Sequence, residues 1–233
     1  MTEEREQPPG APMQPTSATR DRTSLQELAD EQLMEVVVAG DKAAFEVLVL
    51  RHKVRLYNYV LRMLRDPTEA EDVTQEAFVR AYVHADKYRN IARFTTWLYT
   101  IATNLVRNRI RKGRSTPRLV SLDAGRTDSE SEERESLDLP DTGDLPDRVL
   151  EKNEIHALVS EGIERIPRRY REAFVLREVN DLSYEEIAAI TGLKLGTVRS
   201  RINRGRGHFR DIMEPVLRRM RGGSAEGTEG GSR

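Results

Sequence analysis

Between Thr100 and Arg114 the chain carries Asn104, Arg107, Asn108, Arg109, Arg111, Lys112 and Arg114 without a single acid. Guanidinium and ammonium groups at this density suit phosphate oxygens, and an asparagine amide can donate to and accept from a base edge at once. Just upstream, Tyr88, Phe94, Trp97 and Tyr99 crowd into a dozen residues of a chain that is only 6% aromatic. Aromatic faces beside cations and amides are the groups that hold unpaired bases. A second acid-free stretch bears Lys194, Arg199, Arg201, Arg204, Arg206 and Arg210, with Asp211 the first acid after it. Both sets point to recognition rather than covalent chemistry. Glycine-rich phosphate loops, nucleophile elbows and metal-binding helices are absent from the sequence, so a hydrolase or transferase is not expected.

Helices must position these groups. Asp66-Pro67-Thr68-Glu69 supplies a cap, a first-turn proline and a glutamate at the third position, which predicts a helix start. Ala70, Val73, Ala77, Phe78 and Ala81 then recur at three- and four-residue spacing as one apolar stripe, opposite an acidic face of Glu71, Asp72, Gln75 and Glu76. Leu25, Leu28, Leu33, Val36 and Val37 predict one short helix closed by Gly40. Asp41 caps a long helix with Phe45, Leu48, Val49, Leu56, Tyr57, Val60, Leu61 and Leu64 inward. The basic helix has Ile101, Leu105 and Ile110 as its apolar positions, and for Trp97 and Tyr99 core packing is the expected role.

Further on, Leu150, Ile155, Leu158, Val159, Ile163 and Ile166 form a stripe ended by Pro167, and Tyr170, Phe174, Val175 and Leu176 mark a helix from about Arg169 to Val179. Ser183 with Glu186 is a capping box. Thr191-Gly192-Leu193 then makes a turn into a helix from about Leu195 through Arg210, with Val198, Ile202 and Phe209 inward. Two helices across a short glycine turn predict a helix-turn-helix whose second member enters the major groove. No segment alternates as a strand would. The expected fold is all-α: two small helical domains joined by a flexible acidic linker, the second containing the helix-turn-helix.

Composition agrees. The chain has 233 residues, 38 basic against 39 acidic side chains, a net charge of -1 and no cysteine. Disulfides and cysteine-based zinc sites are excluded, and His52, His84, His156 and His208 lack metal-ligand spacing. Acids crowd the join between the basic helices: Asp123, Asp128, Glu130, Glu132, Glu133, Glu135, Asp138, Asp141 and Asp144. Expected boundaries are a tail over 1–23, a first domain over 24–114, a linker over 115–147, a second domain over 148–221 and a tail over 222–233. The amino terminus lacks a signal-peptide pattern and no apolar run approaches the roughly 20 residues of a membrane span, so a cytoplasmic protein without membrane insertion is expected.

EDVTQEAFVRAY, followed by FTTWLYTIATN and a basic helix end, resembles the second conserved region of bacterial RNA polymerase sigma factors, most closely the extracytoplasmic-function (ECF) group. LSYEEIA and GTVRSRINRGR resemble that group's fourth conserved region. The resemblance implies a non-catalytic polymerase subunit that selects promoters and promotes strand opening, needs no cofactor, and has core RNA polymerase, promoter DNA and an anti-sigma protein as partners. It implies that Asp72, Gln75 and Glu76 dock on the coiled-coil clamp of the polymerase's largest subunit. The loop from Arg89 to Thr95, with Phe94 and Thr95, and Asn104 and Asn108 would capture the nontemplate strand of the minus-ten element, while Arg107, Arg109, Arg111 and Lys112 hold phosphates. Thr197, Arg199, Ser200, Asn203 and Arg204 would read the minus-thirty-five element, with Arg201 on the backbone. Lys194 stands where the family often has a small capping residue. The two elements would lie two duplex turns apart, ~70 Å at about 34 Å per turn. A relaxed linker of this length averages only about 30 Å, whereas an extended one reaches on the order of 100 Å. The resemblance implies that the linker threads the polymerase's nucleic-acid channel, its acids standing in for phosphates. The competing expectation is a helix-turn-helix regulator of duplex DNA whose first domain senses a ligand or dimerises; such a protein has no need of the 66–114 segment.

Overall fold

The computed structural model describes residues 22–89, 91–115 and 146–223, and every regular element among them is helical. The expected linker falls on 116–145, outside the described residues, as does nearly all of both expected tails.

Helices α1 (Arg22–Gln26), α2 (Asp30–Val38), α3 (Lys42–Leu64), α4 (Pro67–Val83) and α5 (Phe94–Ser115) form the first half, with a single 3₁₀ turn at Ala85–Lys87. The signals for α3 and α4 lie where they begin. Asp41 accepts from the Ala43 N–H and Asp66 from the Glu69 N–H at 3.0 Å, each satisfying a first-turn donor that the helix leaves unpaired. Gly40, at φ 101°, closes α2 in a conformation that glycine takes without strain. The stripe of α4 is entirely buried: Ala70, Val73, Ala77, Phe78 and Ala81 pack against Phe45, Leu48, Leu56 and Val60 of α3 and Leu98, Ala102 and Leu105 of α5.

The single short helix expected before Gly40 is two helices. The guanidinium of Arg51 takes the carbonyls of Gln26 at 2.6 Å and Leu28 at 2.8 Å and pairs with Asp30, so it accommodates the backbone freed at the break. Asp30 is also bonded by His52 at 2.6 Å. Burial alone would raise its pKa, but the hydrogen bonds and charges of His52 and Arg51 outweigh that and hold it below the ordinary value.

The second half holds α6 (Pro146–Arg165), α7 (Arg168–Glu178), α8 (Tyr184–Thr191) and α9 (Leu195–Gly223). Helix α6 begins two residues ahead of the expected start, and its stripe is inward only in part, since Ile155 is 45% exposed. The capping box is complete: the Ser183 hydroxyl accepts from the Glu186 N–H, and the Glu186 carboxylate accepts from the Ser183 N–H. Gly192, at φ 70°, makes the turn between α8 and α9. Gly205 allows α7 to lie close on α9, because a Cβ there would meet the Phe174 Cβ at 2.8 Å. Helix α9 continues well beyond the expected end at Arg210.

The two halves are packed together, an arrangement the sequence gives no reason to expect. Along α5, Thr96, Tyr99 and Arg107 recur at helical spacing and meet the second half, while Tyr99 also packs on the Tyr59 ring of α3 at 5.2 Å and Thr103 bonds the Tyr59 hydroxyl at 2.7 Å. The Asn180 amide donates to the Tyr99 hydroxyl at 2.6 Å and Thr96 to Glu186 at 3.2 Å. Arg107 makes a two-pronged pair with Glu172 at 3.2 and 3.0 Å and donates to the Thr191 carbonyl at 3.1 Å. From α7, buried Arg171 reaches the Arg62 carbonyl at the end of α3 at 3.0 Å, while its other bonds go to the carbonyls of Glu164 and Ile166 at the end of α6. Burial pushes this guanidinium down to about 10.

Candidate nucleic-acid interface

Helix α5 divides its circumference among three tasks. Leu98, Ala102 and Leu105 enter the core of the first half, and the polar face just described meets the second. On the third face Asn104 and Asn108 lie one turn apart, both exposed, with Arg111 and Lys112 one turn further on, also exposed. Arg111 donates to the side-chain Oδ1 of Asn108 at 3.1 Å. Half-buried Trp97 and Ile101 continue this face toward the helix start. The result is a ridge with amides in the middle, cations at one end and an aromatic at the other.

Several expected contacts are placed differently. Phe94 is completely buried, with its ring 5.5 Å from His52 and 6.3 Å from both Tyr88 and Trp97, so it packs in the core and cannot stack on a base. It and Thr95 open α5 rather than ending a loop. Tyr99 is buried and hydrogen-bonded, and burial raises its hydroxyl above the ordinary tyrosine range. Arg109 turns back to Glu69 at 2.7 Å and Glu76 at 3.8 Å, tying the basic helix to the acidic one. Arg107 is held by Glu172. Arg111 and Lys112 are exposed on the amide face.

On α4, Asp72 and Gln75 are exposed, while Glu76 is shared between Arg80 at 2.5 Å and Arg109. Beside them a groove between α3 and α4, about 500 Å³ in volume, is lined by Val54, Tyr57, Phe78 and Val79 and edged by Gln75 and Lys53. Sequence periodicity missed this apolar strip: Val79 is 60% exposed although valine on α4 reads as core.

In α9, Arg199, Ser200, Asn203 and Arg204 are exposed on the first turns after Gly192, and Thr197 and Arg201 are half-buried beside them. The Lys194 carbonyl takes the N–H groups of Thr197 and Val198, which starts the helix through the backbone. Arg204 donates to the Tyr170 hydroxyl at 3.2 Å, and Arg206 is paired with Glu178 at 2.7 Å. Arg199 stands over the Tyr184 ring at 6.0 Å. Thus Arg199, Ser200 and Asn203 are the groups best presented to a groove.

The residues missed by sequence are Glu172, Asn180 and Glu186. As exposed-looking polar positions on α7, α8 and the loop between them, they carried no signal of a partner on α5. Among the described residues no group of side chains is arranged to hold a metal ion, and no helix is long and apolar enough to cross a membrane.

An amide ridge with cations at one end, in one chain with a helix-turn-helix whose second helix is basic, has the features of a two-part nucleic-acid-binding protein. Comparison with known proteins makes the class specific. The model of sigma-70 region 2 matches residues 48–116 and that of sigma-70 region 4 matches residues 156–209. RNA polymerase sigma-H factor of Pseudomonas aeruginosa is 40% identical over 190 residues, covering 81% of this chain and 96% of that protein. The ECF RNA polymerase sigma-E factor of Escherichia coli K12 is 37% identical over 194 residues, covering 83% and 99%. Among solved structures, CnrH in complex with the cytosolic domain of CnrY shares the fold, with a TM-score of 0.56 at 23% identity over 81% of this chain and 99% of that one. The sigma factor RpoE of Bartonella quintana, in complex with the anti-sigma factor NepR, gives a TM-score of 0.54 at 23% identity over 73% and 96%. The chain belongs to the ECF group of RNA polymerase sigma factors, DNA-binding factors of transcription initiation.

Proposed function

We propose that this chain joins core RNA polymerase, brings it to particular promoters and captures the opened nontemplate strand on the outer face of α5. The observation that carries this is the ridge of Asn104 and Asn108 with Arg111 and Lys112, linked in one chain to the basic helix α9. Unpairing and unstacking a base costs a few kcal/mol, so a subunit without a motor must bind the extruded base to offset it. Exposed amides beside phosphate-binding cations suit that task, whereas a reader of intact duplex has no use for them. Phe94 is left out of the contact set because its ring is buried.

Asp72 and Gln75, beside the apolar groove between α3 and α4, form the docking face for the clamp helices of the polymerase. Acidic groups at the rim and valines in the groove suit an amphipathic helix with basic flanks. Arg199, Ser200 and Asn203 read the upstream element, with Thr197, Arg201 and Arg204 at the edge of that contact. Engaging both promoter elements over ~70 Å requires the halves to separate, because a compact body of this size is only about 40 Å across. An anti-sigma protein is the expected negative regulator, as in the Bartonella complex, and the protein acts without catalysing a reaction of its own.

Run-off transcription tests the assignment. Purified chain added to sigma-free core polymerase should yield discrete transcripts from templates enriched in promoter selection. Tight binding to duplex DNA with no transcript at any template would refute it.

A further inference from the structure

Arg169, Arg204 and His208 close on Tyr170 of α7, which is only 6% exposed. Nη1 of Arg204 donates to the tyrosine hydroxyl at 3.2 Å. The His208 imidazole stacks on the ring, with centroids 5.4 Å apart and planes 21° from parallel, and the Arg169 guanidinium stands over the ring at 4.6 Å. The meeting depends on how closely α7 approaches α9. Gly205, next to Arg204, leaves no room for a Cβ beside Phe174, and Phe174 lies one turn from Tyr170. A tyrosine of α7 thereby reaches a guanidinium of α9, and stacking on His208 keeps its ring from turning.

Arg204 is therefore anchored at one nitrogen and exposed elsewhere. It lies one turn from Ser200 and next to Asn203, both exposed on α9. A guanidinium holds its N–H donors in a rigid plane. A bond through Nη1 leaves the edge formed by Nε and Nη2, a pair of parallel donors, for another pair of acceptors. In the major groove O6 and N7 of guanine are such a pair, and no other base offers two adjacent acceptors there.

We propose that Tyr170 is a positioning residue for promoter choice: by holding Arg204 at Nη1 it aims the Nε–Nη2 edge at a guanine of the upstream element. The proposal rests on the assignment of α9 to that element. An unanchored arginine must be ordered as it binds and can spread its contact over phosphates and several bases. Anchoring it beforehand removes that ordering from the guanine contact, and so contributes about two- to tenfold of the preference. Lysine at the same position keeps the charge but lacks the edge.

Holoenzyme reconstituted from core polymerase and the full chain tests this on a promoter obtained by selection, with its upstream element randomised and each template identified by a barcode in the transcribed region. Sequencing the run-off products gives the base preference at every position. The native chain should favour guanine at one of them. Arg204→Ala and Arg204→Lys should abolish that preference, a change of about ten- to a hundredfold. Tyr170→Phe removes only the hydroxyl and keeps the stacked ring. It should weaken the preference about two- to tenfold at that position alone, and change nothing further in the Arg204→Ala background. A merely structural role for Tyr170 would lower output across all sequences and add to the effect of Arg204→Ala; either result, or a preference that is unchanged or sharper in Tyr170→Phe, would overturn the proposal. The anchor is also read without DNA or polymerase. In side-chain NMR of the free chain, rotation of the Arg204 Nη1 group should be slow and should quicken in Tyr170→Phe. No transcript from any template overturns the promoter assignment and with it this use of Arg204, whereas an anchored arginine with a guanine preference indifferent to Tyr170 overturns this proposal alone.

Discussion

Two glycines two residues apart in α9 should respond to the same substitution with opposite sign. Glycine to alanine in a helix interior gains roughly 0.5–1 kcal/mol by restricting the unfolded chain. At Gly207 nothing lies within 4 Å of the added Cβ, so Gly207→Ala should keep that whole gain. At Gly205 the Cβ would sit 2.8 Å from the Cβ of Phe174 and 3.2 Å from its ring, and a Cβ cannot swing aside as a side-chain tip can. Phe174 is buried between α7 and α9, so the clash must be relieved by moving a helix, an overpacking cost of about 1–3 kcal/mol. The steric term exceeds the propensity gain, and Gly205→Ala should destabilise by about 0.5–2 kcal/mol. Gly162→Ala falls between them: its Cβ meets Met213 Sδ at 2.7 Å, and a thioether can rotate away. Urea unfolding followed by circular dichroism, with equal slopes required across the series, gives the three midpoints. Stabilisation by Gly205→Ala equal to that by Gly207→Ala would refute the claim that close approach of α7 dictates glycine there.

Asp72→Lys should weaken binding to core polymerase about tenfold or more by placing a cation where the docking face is acidic, and leave oligonucleotide binding unchanged; fluorescence anisotropy with labelled chain measures both. Asn108→Ala should lower affinity for the nontemplate oligonucleotide about three- to tenfold, the worth of one or two hydrogen bonds, and reduce permanganate reactivity at the minus-ten element. Arg199→Ala should cost about ten- to a hundredfold on duplex carrying the upstream element and relax its sequence preference, in gel-shift titrations at fixed salt. Glu186 gives a pH signature. Burial would raise its pKa, but bonds from the Ser183 N–H and hydroxyl and from Thr96, with the charge of Arg93, outweigh this and hold it below the ordinary 4.5. Its stabilising contribution is therefore complete above about that pH and drains as the pH falls through the lower native value. The urea midpoint of Glu186→Gln should accordingly fall less between about pH 6 and pH 3 than that of the parent; equal falls would refute the role.

What the sequence disclosed were contacts made within a turn or two. Asp41, Asp66 and Ser183 bond to N–H groups two or three residues on, so the cap and the bonded groups are legible together. The stripe of α4 and the glycine turn at Gly192 are equally local. The features that escaped depend on distant chain. The break between α1 and α2 is fixed by Arg51, more than twenty residues away. Phe94 looked available because aromatics near cations suit bases, yet His52, Tyr88 and Trp97 close over it. Arg109 reads as a phosphate ligand until α4 brings Glu69 within 2.7 Å. For the ridge itself, the shared face of Asn104 and Asn108 is legible from spacing alone, whereas the partners of Arg107 and Arg109 come from distant elements.

Pairing within the protein and segregation of charge along the chain explain why near-neutral total charge is compatible with a DNA-binding role. On α5, Arg109 is answered by Glu69 and Glu76 of its own half and Arg107 by Glu172 of the other. The first pairing is internal to the helix pair and survives any movement of the halves. The second exists only while they are packed. Arg107 stays partly exposed in the packed form, so what Glu172 removes is chiefly its charge: the carboxylate lowers the positive potential along that side of α5.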